Sequence, residues 1–508
     1  MELKDGGGSR TLRWLALGLF LTYFFTSSGG FEVGDTSIRY FTAKSWLEGR
    51  GGALPAELAW INGPVADDGR VFSIYGPLQA VLMVPYLVAV RAVPAGHVDR
   101  SVLETFAISL GLFPLVSTLA MAVLFLALLR LGHPPRCALL ATLGIALGSL
   151  FWHYARMGQE ENLVALGYAL WLLGAARLAH GGRFPATLMA AGATLALTTR
   201  WATVPSLAVL LVLSLYLLYR HWQSVALADL GLGAGLAATG IFLLLWWNHY
   251  RFGGWLETGY GRWNAHLHQH MFMTDGFGDH LAALLASPYR GVLFYSPILM
   301  AGIAGVFVAR RGSSGSSGST LRLLGLGALG VLVVTLLFLA GFRYWAGGHS
   351  WGPRFLTALH VLFAPGLASL FASRPRMAWL VPACAVLQIF STMLPASTEE
   401  YVRFNMDQAH PGACSDWTPQ CTAVVQRIPR ALAAVAHTVT GDGGIAISGR
   451  PLVAPDVVLQ TSDYRTLYWW PVRVSFRMRV LPLWAALLLC IAGLGGAAYC
   501  LRRAWLAT

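Results

Sequence analysis

The sequence predicts an all-α polytopic membrane protein. It should have about twelve transmembrane helices, interfacial helices in the first external loop and a small external loop region near the C-terminus. Three observations carry this expectation. Of the 508 residues, 56% are hydrophobic and 12% charged, where a soluble chain carries about 25% charged residues. Apolar runs near the roughly 20-residue length of a membrane span recur along the whole chain. The connectors between them alternate between short basic turns and longer acid-bearing segments, as the positive-inside rule requires.

The runs fall near 12–28, 104–130, 136–152, 163–179, 185–200, 202–219, 226–247, 291–309, 322–342, 355–372, 378–394 and 480–500. The first has Lys4, Arg10 and Arg13 at its start and no small-residue cleavage site after it. It is expected to be a retained span with its N-terminus in the cytoplasm. The fifth and sixth runs meet at Thr199–Trp201 and read as a kinked pair. The run from Pro77 to Ala92 is short and interrupted by Pro85, so it is expected to be interfacial or re-entrant. With it left uncounted, Arg130–Arg136, Arg177–Arg183, Tyr219–Gln223, Arg310–Arg322, Arg374–Arg376 and Arg502–Arg503 all fall inside, and the C-terminus is cytoplasmic. Gly312–Thr320, "GSSGSSGST", reads as a flexible cytoplasmic linker. The expected organisation is a membrane module over 1–394, an external cap over 395–479, and a last span with its tail over 480–508.

External segments 29–103, 153–162, 248–290, 343–354 and 395–479 hold most of the 23 acids; only Glu2, Asp5 and Asp229 fall on the cytoplasmic side. Cys414 and Cys421 in the last external loop are spaced to close a small disulfide ring in an oxidising compartment. The other four cysteines read as packing residues. The net charge is +13, and 34 of the 36 basic residues are arginine. That bias is either a habit of a GC-rich genome or a supply of forks that bind phosphate bidentately.

The chemistry-bearing residues lie in the external pieces. After the first run comes "FEVGDTSIRY", with Asp35, Arg39 and Tyr40. Asp35 is either an N-cap or salt-bridge partner of a helix starting there, or a catalytic acid. Tyr75 follows in "VFSIYGP", and Asp67-Asp68-Gly69 reads as a turn. The second piece, "HYARMGQEEN", puts Arg156, Glu160 and Glu161 between two apolar runs. Paired carboxylates there are costly unless they have a use. The third, 248–290, holds Arg251 and a cluster of histidines, read as solvated loop or substrate contact more than as metal ligands. It runs on into "SPYRGVLFYSPIL". The fourth, "FRYWAGGHSWGPRF", holds His349, Trp351 and Arg354 among glycines that suggest a shaped turn. Aromatic faces stack on sugar rings, and Arg binds phosphate.

In this order and parity the layout resembles the GT-C superfamily of integral-membrane glycosyltransferases, the protein O-mannosyltransferase and lipid A aminoarabinose transferase group above all. The resemblance covers roughly residues 10–350. Asp35 matches the acid that follows the first span. Glu161 matches the second acid, where the family usually has Asp, with Glu160 as the alternative. Arg200 in "LALTTRWATVP" matches the basic residue at the outer end of the fifth span. The resemblance implies inverting sugar transfer from a polyprenyl-phosphate carrier to a lipid, glycan or protein acceptor on the outer face of a bacterial cytoplasmic membrane.

On that pattern Asp35, Glu161 and Glu160 are the catalytic candidates. Arg39, Tyr40, Tyr75, Arg156, Arg200, Arg251, His349, Trp351 and Arg354 are the substrate-binding ones. Family members differ in metal need, so the site is either metal-free or holds Mg²⁺ or Mn²⁺ on Asp35 and Glu161. No Rossmann-like G-x-G-x-x-G unit offers a nucleotide-sugar site, and nothing points to nucleic acid. Rival readings are a transporter or flippase, which would favour midplane charges and internal repeats, and a ligase for a lipid-linked saccharide.

Overall fold

The computed structural model describes residues 6–32, 34–59, 63–94, 99–312, 316–348, 350–394, 415–419, 423–441, 445–446, 463–464 and 466–508. His349, Cys414, Cys421 and most of the external segment 395–479 lie outside these residues. The chain opens with α1 (Gly6–Thr26), α2 (Gly34–Leu47) and α3 (Leu78–Arg91). α4 (Arg100–Ala107) passes through a π turn into α5 (Phe113–Arg130). Then come α6 (Pro135–Gly148), α7 (Leu150–Ala155), α8 (Glu161–His180), α9 (Pro185–Thr199), α10 (Val204–Arg220) and α11 (Leu227–Phe252). The second half runs α12 (Gly259–His266), α13 (Phe277–Ala286), α14 (Val292–Tyr295), α15 (Pro297–Gly312), α16 (Ser316–Gly341), α17 (His360–Ser373) and α18 (Leu380–Thr392). It closes with α19 (Ala423–Thr440), α20 (Trp470–Arg473) and α21 (Leu483–Leu506). Among the described residues one small sheet pairs Ile445–Ala446 with Asp463–Tyr464, antiparallel.

Seven helical stretches among the described residues are long and apolar enough to cross a membrane: Arg100–Arg130, Glu161–His180, Trp201–Arg220, Leu227–Phe252, Gly318–Gly341, Arg354–Ser373 and Leu483–Leu506. Each coincides with an expected span. The other five expected spans fall on α1 and on shorter or broken helices, α6–α7, α9, α14–α15 and α18. The breaks have local causes. Ser149 is extended and caps α7 through its side chain, which accepts from the Phe151 N–H. Arg200 is extended at φ −150°, ψ 115°, so α9 and α10 do form a kinked pair. α3 is a 14-residue helix with Pro85 inside it, too short to span. The Gly–Ser linker expected over Gly312–Thr320 is shorter than its composition suggests. Ser316–Thr320 is already the first turn of α16, because extending a helix that is packed over its later turns costs little beyond its nucleus.

Burial ranks the helices. Within the apolar 18-residue window of each stretch, the share of residues buried is 83% for Arg354–Ser373 and 72% for Glu161–His180, against 17% for Leu227–Phe252 and 22% for Leu483–Leu506. α8 and α17 therefore form the centre, and the outward faces of α11 and α21 are the sides suited to lipid. α8 lies against α5 and α9. Its contact with α9 is backbone on backbone, since a Cβ on Gly167 would stand 2.6 Å from the Gly192 carbonyl oxygen. Small residues at such crossings allow close approach where the apolar drive between helices is weak. A second apolar cluster, separate from the main core, joins α2, α3 and the start of α5.

Asp229 settles the opposite end of α9. Its carboxylate accepts from the backbone N–H groups of Ala186 and Thr187, each at 2.9 Å, and from the Thr187 hydroxyl at 2.6 Å. A helix start leaves such donors without intrahelical partners, and here the cap comes from α11. Asp229→Ala should cost about 0.5–2 kcal/mol, the loss of an N-cap. It should be read as a lower denaturation temperature in detergent with activity per folded molecule unchanged.

Candidate functional site

Four segments converge on one cluster of charges. α2 brings Asp35 in its first turn and Arg39 one turn later, so both sit on one side of the helix. The turn between α7 and α8 brings Glu160 and Glu161. That turn depends on Gly158, which has φ +79° and whose Cβ would stand 2.2 Å from the Phe113 ring. Only a residue without Cβ fits both conditions. The Gly158 carbonyl accepts from the Thr36 hydroxyl at 3.0 Å and from the Gln79 amide, tying α2 and α3 to the acidic turn. The break between α9 and α10 brings Arg200. The glycine-rich turn before α17 brings Arg354, the first residue of a 3₁₀ stretch that leads into that helix.

Arg354 Nη1 donates to Asp35 Oδ2 at 3.0 Å, and its Nε lies 3.6 Å from Glu161 Oε1. Arg200 Nη1 donates to the same Glu161 oxygen at 3.3 Å, while its Nε lies 3.3 Å from Glu160 Oε1. Arg39 pairs with Glu160. Three guanidinium groups thus meet three carboxylates, and all but Asp35 are nearly buried. Asp35 keeps 24% of its side chain exposed. Glu161 Oε2 and Arg39 Nη1 are buried without hydrogen-bond partners, a state that costs free energy unless a ligand meets them. Arg39 stacks on the Tyr75 ring and Arg200 on the Phe355 ring, each at 3.9 Å.

Beside the cluster lies a cavity of about 740 Å³ including its open mouth. Tyr75, Glu160, Arg200, Arg251 and Tyr260 line its polar side; Trp201, Leu244, Phe338, Phe342 and Phe355 line its apolar side. Trp201 at the rim is 41% exposed. The cavity therefore suits a ligand with one charged, hydroxyl-bearing end and one hydrocarbon end.

Burial alone would push the Asp35 carboxyl up. The charges of Arg354 and Arg39 and the hydrogen bonds from Tyr75 and Arg354 outweigh it, and Asp35 is held below its ordinary 3.8. A group depressed in the folded state contributes stability above its unfolded pKa and loses it as pH falls through the folded value. The difference in thermal stability between the wild type and Asp35→Asn should therefore be constant at neutral pH and narrow below about pH 4. A melting series from pH 7 to about pH 3 in detergent checks this.

The other residues singled out in the sequence sit differently. Arg251 is buried and donates to the backbone oxygens of Trp247, Ser73 and Tyr75 and to Asn248 Oδ1, so it braces the Tyr75 segment as well as lining the cavity. Arg156 is fully buried away from the cluster, on Glu32 at 2.7 Å and the Ser391 and Leu394 carbonyls. Tyr40 donates to Glu104 in a separate polar contact that Lys44 joins. Trp351 is buried under the Arg427 guanidinium and against Tyr295. Asp67-Asp68-Gly69 forms the expected turn, with Gly69 at φ +83° and Asp68 held by Arg70.

Sequence reasoning left Tyr260, Phe355 and Arg290 without roles. Phe355 directly follows an arginine already singled out, and Arg290 lies in the quoted "SPYRG" run. Only the fold shows that Arg290 holds the turn leading to Arg354, through the carbonyls of Gly348, Ser350 and Gly352.

For a divalent ion, Asp35 and Glu161 are the pair in question, and Arg354 stands between them. Among the described residues no group of three or more His, Cys, Asp or Glu side chains converges to hold a metal ion. With Arg354 held between the two acids, the site as built does not fit such an ion.

No family model matches the chain, and no curated protein matches it. Among solved structures it is similar to the crystal structure of ArnT from Cupriavidus metallidurans bound to undecaprenyl phosphate. The identity is 12% and the TM-score 0.47, over 99% of this chain and 77% of that one.

Proposed function

We propose that this chain is a membrane glycosyltransferase of the GT-C type, which moves a sugar from a polyprenyl-phosphate carrier to a hydroxyl-bearing lipid, glycan or protein acceptor at the outer face of the cytoplasmic membrane. One observation carries the reading. A partly exposed carboxylate and a set of fixed guanidinium groups lie in one cluster beside a cavity walled by aromatic and aliphatic side chains. Asp35, Glu161 and Arg200, the three positions matched in the sequence resemblance, belong to that charged cluster, and their meeting there supports the reading.

In this reading the carrier's hydrocarbon lies along Leu244, Phe338 and Phe342, and its phosphate turns toward Arg200 and Arg354. Bidentate guanidinium contacts suit a phosphate that departs with growing negative charge. Glu160 and Glu161 keep those arginines in place before substrate arrives, so little reorganisation is needed as charge develops. Asp35, the most exposed of the three acids, takes the proton of the acceptor hydroxyl as that oxygen attacks the anomeric carbon. Tyr75 and Tyr260 offer aromatic faces to the sugar.

The test is a panel of radiolabelled polyprenyl-phosphate sugars supplied to the protein in nanodiscs, with release of carrier phosphate as the readout. Release with at least one donor is the expected result. A donor that crosses between leaflets without being cleaved would replace this reading with the transporter.

A further inference from the structure

We propose that the Arg354 guanidinium is the built-in cation of this site, standing where a divalent ion would otherwise bridge Asp35 and Glu161. The inference deepens the sugar-transfer reading and rests on it only for what that cation does at the departing phosphate; the placement itself stands on geometry.

The first argument is position. Arg354 reaches Asp35 Oδ2 at 3.0 Å through Nη1 and Glu161 Oε1 at 3.6 Å through Nε. These are the two carboxylates from separate helices that an ion would have to bridge. The second is charge. Asp35, Glu160 and Glu161 are matched by Arg39, Arg200 and Arg354, so the cluster is neutral as built. Adding a dication to a neutral, largely buried cluster would leave two positive charges without partners, and buried unpaired charge is strongly disfavoured.

The third argument is rigidity. Arg354 is not a surface arm free to swing aside. Its N–H bonds the Gly352 carbonyl at 2.9 Å, and Arg290 holds that same carbonyl at 3.1 Å together with those of Gly348 and Ser350. Gly347, Gly348 and Gly352 all have positive φ, so the turn is shaped for this path. Arg290 is itself fully buried. The fold therefore delivers the Arg354 side chain between the two acids as a fixed part.

The consequence is specific. Without Arg354 the cluster holds three carboxylates against two guanidinium groups. Two of the acids then face each other across a gap, and Glu161 already has a buried oxygen without a partner. Oxygen donors of this kind suit Mn²⁺. Removing the arginine should create a metal site that the wild type lacks.

The experiment titrates Mn²⁺ into the full-length protein in nanodiscs, by calorimetry and by electron paramagnetic resonance. Wild type is expected to show no Mn²⁺ site that depends on Asp35. Arg354→Met should gain one at least about tenfold tighter than any background binding, and adding Asp35→Asn should remove it. Arg354→Gln serves the same purpose if the methionine variant does not fold. Arg354→Lys, which keeps a cation, should gain nothing.

A wild-type Mn²⁺ site that Asp35→Asn abolishes would overturn the proposal. So would neutral variants that fold and bind no better than the wild type. Carrier-phosphate release by the wild type is followed in parallel with and without EDTA. Release that stops in EDTA and returns with Mn²⁺ also overturns it. If no donor is cleaved under any condition while the Mn²⁺ results come out as expected, the transfer reading fails and the cation assignment stands.

Discussion

Asp35→Asn is expected to lower the rate of carrier-phosphate release by about 10²- to 10⁴-fold, the usual contribution of a general base. That corresponds to about 3–5 kcal/mol of barrier at 1.36 kcal/mol per decade. The substitution is informative because asparagine keeps the shape of the side chain while removing its basicity and its negative charge. It can still accept the hydrogen bond from Arg354 through its amide oxygen. If Asp35 serves only as the start of α2 or as the partner of Arg354, the rate should change by no more than a few-fold and the effect should appear in stability. A folded Asp35→Asn protein that releases phosphate at the wild-type rate would therefore remove Asp35 from the chemistry. Donor affinity should be nearly unchanged, since the groups assigned to the phosphate are Arg200 and Arg354.

The second large effect concerns folding. Arg156→Ala should destabilise the protein by about 3–5 kcal/mol, because removing one partner of a buried pair strands the other charge. Both side chains of the Arg156–Glu32 pair are fully excluded from solvent. The same arginine also serves the carbonyls of Ser391 and Leu394, so it joins the segment after α1 to the end of α18. Arg156→Met combined with Glu32→Leu should recover much of the loss, since apolar replacement of both partners is often tolerated. Thermal denaturation in detergent reads the difference. The transfer rate of the folded fraction, and its dependence on donor concentration, should be unchanged. A raised KM with intact stability would instead return Arg156 to the substrate.

Why Arg156 was grouped with the site by sequence, and is not in it, shows where a linear reading stops. It lies four residues before Glu160. The turn at Gly158 reverses the chain between them, so Glu160 faces the cavity cluster while Arg156 faces α18. Proximity in sequence carried no information about facing. Asp35, Glu161 and Arg200 were legible because each sits where an apolar run ends, and charge at such a place is costly unless it is used. The spans were legible for the same reason, where they are long. They were less so where Ser149, Arg200 or Ser296 breaks a helix, because hydropathy averages over the break. Tyr260 and Arg290 had no signal of their own. Their roles exist only through the approach of distant backbone, as with the three carbonyls that Arg290 gathers.

The ion pair between Asp35 and Arg354 joins residues 319 positions apart. That separation is also a delay. At about 5–20 residues per second of synthesis, Asp35 emerges roughly 15–60 seconds before Arg354 does. Glu160 reaches Arg39 first, Arg200 follows, and Arg354 arrives last. From the synthesis of Arg200 to that of Arg354 the growing chain carries three carboxylates of the cluster against two guanidinium groups. The ribosome's pace thus sets a lifetime for a half-built centre.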